Sequence, residues 1–92
     1  MERETAIITL KIPKRNLEVD LEVPLRITAN ELVIALNIAY DLNIDISNIK
    51  NCYLKAENPI ALLRGNKTLG DFGLLNGSII NYTEIGVQRG GE

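Results

Sequence analysis

Two runs of strict alternation, divided by a four-residue break, constrain this chain more than any other feature of it. Ile8, Leu10 and Ile12 alternate with Ile7, Thr9 and Lys11. After Pro13-Lys14-Arg15-Asn16, Leu17, Val19, Leu21 and Val23 alternate with Glu18, Asp20 and Glu22. A period of two places every second side chain on one face, so each run reads as a strand with one side on a core and one toward water. The short loop between them predicts an antiparallel hairpin. Pro24 has no N–H to give a ladder and closes the second strand.

A helix start follows. Thr28 and Glu31 have capping-box spacing, in which each side chain satisfies a backbone N–H left over at the first turn. Ile27 and Leu32 occupy the positions of a hydrophobic staple. Leu32, Ala35, Leu36, Ala39 and Tyr40 recur every three or four residues as one apolar stripe. The spacing predicts a helix over 29–42, with Asn43 as its stop. Val33, Ile34 and Ile38 lie off that stripe and either widen the buried face or stand exposed.

Beyond the helix, Ile44, Ile46 and Ile49 space out a connecting segment. Cys52, Leu54 and Ala56 then alternate with Tyr53, Lys55 and Glu57 as a third strand, which turns Cys52 inward as a small hydrophobe. Asn58-Pro59 marks a turn, residues 60–64 make a short fourth strand, and Gly65-Asn66 stops it. Ile80 and Tyr82 alternate with Asn81 and Thr83 in a last strand. Gly86 to Glu92 offers nothing to bury and reads as a tail.

Composition excludes most chemistry. Thirteen Leu, thirteen Ile and four Val in 92 residues supply the core of one small domain. The chain has no histidine, which removes Ser-His and Cys-His pairs and imidazole metal ligands. Its single cysteine makes neither an internal disulfide nor a thiolate zinc site, in keeping with a reducing compartment. A net charge of −2 lacks the basic excess that nucleic acid requires. Gly70 to Gly77 contains no Gly-Lys-Ser/Thr and is not a phosphate loop. No apolar run approaches the ~18 residues of a membrane span, and Met1-Glu2-Arg3-Glu4 does not open a signal peptide. The expectation is a cytoplasmic protein without enzymatic activity, cofactor, metal, nucleic-acid partner or membrane insertion.

The order strand, strand, capped helix, strand, short strand, turn, strand is that of an α+β β-grasp: a mixed four- to five-stranded sheet packed on one helix. Thr68-Leu69-x-Asp71-x-Gly73-Leu74-x-Asn76-Gly77 resembles the segment before the last strand of ubiquitin-like proteins. That resemblance implies Leu69 and Leu74 anchoring a one-turn helix under the sheet and Asn76-Gly77 forming a tight turn. Glu22-Val23-Pro24 leading into Thr28 is similar to the corresponding stretch of ubiquitin. Residues 5–85 are therefore expected to be the ubiquitin-like domain, with tails at 1–4 and 86–92.

Within that superfamily the chain resembles the EsaB/YukD proteins of type VII secretion in Gram-positive bacteria. The likeness rests on Ile8-Thr9, Val23-Pro24, and Leu69-x-Asp71 through Asn76-Gly77. It implies a cytosolic accessory or regulator acting by protein contact, with membrane subunits or the ATPase of the secretion machine as partners.

Ubiquitin's usual interaction surface is an apolar patch on the open face of its sheet. The outward residues here are Ile7, Thr9, Lys11, Tyr53, Lys55 and Ile79, followed by Asn81 and Thr83; Ile7, Tyr53 and Ile79 are the candidate anchors. Glu18, Asp20 and Glu22 form an acidic row that either meets a basic partner or guards a solvated edge. The ending Arg89-Gly90-Gly91-Glu92 leaves an alternative. Trimming Glu92 would expose Gly90 and Gly91 as the tail of a protein modifier or sulfur-carrier-type protein. The EsaB/YukD resemblance itself implies no functional diglycine.

Overall fold

The computed structural model describes residues 4–82. The expected hairpin is β1 (Thr5–Ile12) and β2 (Leu17–Pro24). Helix α1 (Ala29–Tyr40) follows, then β3 (Leu54–Glu57), β4 (Ala61–Leu63) and β5 (Ile79–Asn81). Short 3₁₀ segments cover Pro13–Arg15 and Ile46–Asn51. One five-stranded sheet has the order β2-β1-β5-β3-β4. β5 runs parallel to β1 and antiparallel to β3, which makes the sheet mixed as expected. Glu4, read as tail, accepts a hydrogen bond from the Leu25 N–H at 2.8 Å.

The core lies between one sheet face and α1. Ile8, Leu10 and Ile12 of β1, Ile80 of β5, and Leu54 and Leu63 of β3 and β4 are fully buried. From the helix come Ala29, Leu32, Val33 and Leu36. This corrects the expected stripe, because Ala35 and Ala39 are exposed and Val33 is buried. At about 100° per residue, 29, 32, 33, 36 and 40 share one face and 35 and 39 fall beside it. Turning Val33 inward removes more apolar surface from water than turning an alanine inward. Of the residues left open, Ile34 is half-buried and Ile38 is 74% exposed.

Three boundaries also move. The helix ends at Tyr40 rather than 42, because Asp41 takes a left-handed conformation (φ 53°) and its N–H bonds the Asn37 carbonyl. Cys52 lies outside β3; it closes the 3₁₀ segment, half-buried, with its sulfur 3.7 and 3.6 Å from the Asp45 and Asn48 carbonyl oxygens. β4 is Ala61–Leu63, which leaves Ile60 91% exposed in the turn after the cis Asn58-Pro59 bond.

The helix N-terminus is tied down completely. Thr28 Oγ1 accepts from the Glu31 N–H at 3.1 Å, and Glu31 returns a bond to the Thr28 N–H at 2.9 Å. The Ala29 and Asn30 N–H groups reach the carbonyls of Lys67 and Gly65, each at 3.0 Å. Every donor that a first turn leaves over thus has an acceptor. The same belt carries Leu69 and Leu74, both buried as expected, under the sheet. Gly70 donates to the Leu25 carbonyl at 2.8 Å, and a Cβ there would stand 3.3 Å from that oxygen. Gly77, at φ +95°, makes the turn into β5.

Candidate functional site

Opposite α1, the ladder register sorts the outward residues into rows. Thr9 of β1 pairs with Ile79 of β5, which pairs in turn with Glu57 of β3. In the next row Lys11 pairs with Asn81 and Asn81 with Lys55, which faces Leu62 of β4. Three strands, β1, β5 and β3, therefore bring Thr9, Lys11, Lys55 and Ile79 onto one surface with Asn81 among them. Ile7 stands at its end, 52% exposed. There the Asn76 side chain accepts from the Ile7 N–H at 2.8 Å, and Gly77 donates to the Ile7 carbonyl at 3.0 Å. Tyr53 is not brought into the rows; it precedes β3, half-buried, outside the ladder. Thr83, Gly90 and Gly91 lie outside the described residues.

Polar side chains fix much of this face. Asn81 donates to the Glu57 carboxylate at 2.9 Å. On the β2 side, Thr9 donates to Asp20 at 2.9 Å and Thr5 to Glu22 at 2.8 Å, while Lys11 lies across the ladder from Glu18. The acidic row is thus the outward face of an edge strand. At the other edge the character reverses. Ile60 and Leu62 are exposed beside Pro59, Lys55, Glu57 and Asn81 in an open groove. The sequence analysis does not single out this exposed pair, although Pro59 followed by Ile60, Leu62 and Arg64 at alternate positions carries the signal.

Elsewhere, burial first and the Asp45 carboxylate second push the Cys52 thiol above its ordinary range. Among the described residues no group of Cys, Asp and Glu gathers to hold a metal ion, and no helix is long and apolar enough to cross a membrane.

Comparison with known families decides the chain's kinship. The model of the family described as "WXG100 protein secretion system (Wss), protein YukD" matches residues 5–81. The chain belongs to the YukD family. As a YukD-family member it is a ubiquitin-like protein associated with that secretion system. No curated protein matches it. Solved structures with the same fold include the ubiquitin-like domain of tubulin-binding cofactor B, at TM-score 0.70 and 15% identity, covering 95% of this chain and 98% of that one. The C-terminal ubiquitin-like domain of mouse tubulin-specific chaperone e is similar at TM-score 0.71 and 15% identity, covering 95% and 93%. A ubiquitin-like domain from Arabidopsis thaliana gives TM-score 0.62 and 21% identity, covering 86% and 76%. At these identities the likeness is one of fold.

Proposed function

We propose that this YukD-family chain is a cytosolic, non-catalytic accessory of the WXG100 secretion machine that works by protein contact through the open face of its sheet. The contact surface is Ile7, Thr9, Lys11, Lys55 and Ile79, with Tyr53 at its margin. Its partners are membrane subunits or the ATPase of the machine. One observation carries the reading: the β1-β5-β3 register sets Thr9 beside Ile79, and Lys11 and Lys55 on either side of Asn81, with Ile7 half exposed at the end. An apolar anchor inside a polar rim is the composition that protein interfaces favour.

The test is Ile7→Lys, which places a lysine across the ladder from Glu22, together with Ile79→Thr. Both variants should keep the wild-type circular dichroism and melting cooperativity, and export of WXG100 proteins by cells carrying them should fall. Folded variants with undiminished export would overturn the assignment of this face.

A further inference from the structure

The two outer strands of the sheet are opposites. β2 is eight residues long, alternates acidic with apolar side chains, and leaves Leu17, Val19 and Leu21 only half-buried. Charge of this kind guards an open edge, since a second β2 would set acid against acid. β4, the other outer strand, carries no such guard. Its sequence is Ala61-Leu62-Leu63; Leu62 is 43% exposed, Ile60 is 91% exposed, and the charges near them include Lys55, Arg64 and Glu57, which leaves a cationic excess. Lys55 lies directly across the ladder from Leu62, and Arg64 is exposed one residue past the strand. An acidic edge repels its own kind and attracts a cationic one.

We propose that copies of this chain associate head to tail, the β4 edge of one receiving the β2 edge of the next so that the sheet continues across the junction. Backbone groups that have no partner among the described residues at either edge would join, Glu22 and Asp20 would approach Arg64 and Lys55, and Leu62 would leave water. The junction is heterologous, so it propagates and does not close at two copies. A three-residue β4 keeps it small, which makes the association weak, reversible and salt-sensitive. This junction shares Lys55 with the open-face contact proposed above, but neither Ile7 nor Ile79 belongs to it.

Sedimentation equilibrium tests it on the full chain. Weight-average mass should climb with concentration past two chains, from about 0.05 to 1 mM, and fall back toward one chain when salt rises about tenfold. Leu62→Glu/Arg64→Glu makes both edges acidic, and Asp20→Lys/Glu22→Lys makes both cationic. Each variant alone should remain at the mass of one chain, with wild-type circular dichroism. Their equimolar mixture should associate again, because every junction in it pairs opposite charges. A wild type that stays monomeric, a plateau at two chains, or a mixture that does not recover association overturns the proposal. Export measured with the Ile79 variant reports separately on the open face, because Ile79 pairs with Thr9 and Glu57 and with neither outer strand.

Discussion

The Ser78 hydroxyl donates to the Asn58 carbonyl at 2.7 Å, joining the turn between β3 and β4 to the turn that enters β5. The same oxygen accepts from the Leu75 N–H at 3.0 Å, and the Ser78 carbonyl accepts from the Thr9 N–H at 2.9 Å. Ser78 itself is fully buried. Ser78→Ala should cost about 1–3 kcal/mol in urea unfolding, since it takes away the partner of one donor and one acceptor together. An effect within error of zero would mean that water reaches the site.

Arg15, in the loop of the first hairpin, clasps the far end of the helix. Its guanidinium donates to the Tyr40 carbonyl and, at 2.8 Å, to the Asp41 carbonyl, two of the groups left over where α1 ends. A cation there also complements the negative end of the helix. Arg15→Met keeps the aliphatic stem and removes the donors. It should lower stability by about 0.5–2 kcal/mol in urea unfolding, and Arg15→Lys, which keeps the charge but not the paired donors, should recover only part of the loss.

That clasp joins residues 25 apart, and no local pattern announces it. What could be read from the chain was local or periodic. Alternation assigned the inward residues of β1 and β2 because burial of one face repeats every two residues. Thr28 and Glu31 marked the helix start because the capping box spans only three residues. The helix face is ambiguous in the sequence where Ala35 and Ala39 compete with Val33, since small apolar residues satisfy either a buried or an exposed position. Cys52 and Tyr53 continued the alternation of β3, yet backbone bonding in the preceding 3₁₀ segment holds Cys52 out of the ladder. Outward residues were assigned to a face, but their neighbours depended on the parallel pairing of β1 with β5, which lie about seventy residues apart. The open face was therefore legible as a set of residues and illegible as rows.

Asn37 holds the chain after the helix by using both ends of its amide. Its Oδ1 accepts from the Ile44 N–H at 2.8 Å, and its Nδ2 donates to the Ile44 carbonyl at 3.3 Å. Asn37→Asp preserves the acceptor and sets a carboxylate against a carbonyl; Asn37→Ala removes both bonds. Each should destabilise by about 1–2 kcal/mol. Amide exchange should quicken at Ile44 in the alanine variant more than in the aspartate variant, because only aspartate retains an acceptor for that N–H.

Cys52 supplies a test by pH. Burial, and then the Asp45 carboxylate, hold its thiol protonated beyond the ordinary range. The unfolded thiol ionises at about 8.5. Between that value and the higher folded one, the unfolded chain has lost a proton that the folded chain keeps. Raising the pH in this window therefore favours unfolding. The stabilising contribution is complete below the unfolded pKa and is lost as pH climbs through the folded one. Cys52→Ser should flatten this part of the stability–pH curve. Alkylation should be slower in the folded protein than in urea at the same mildly alkaline pH, because the reactive thiolate is scarcer. Asp45→Asn keeps an acceptor for the Ser47 N–H, now held at 3.1 Å, while removing the charge. It should bring the thiol's titration partway back toward the ordinary range, leaving the larger displacement due to burial. Equal alkylation rates in the folded and unfolded chains would show that Cys52 is as open to solvent as a free thiol.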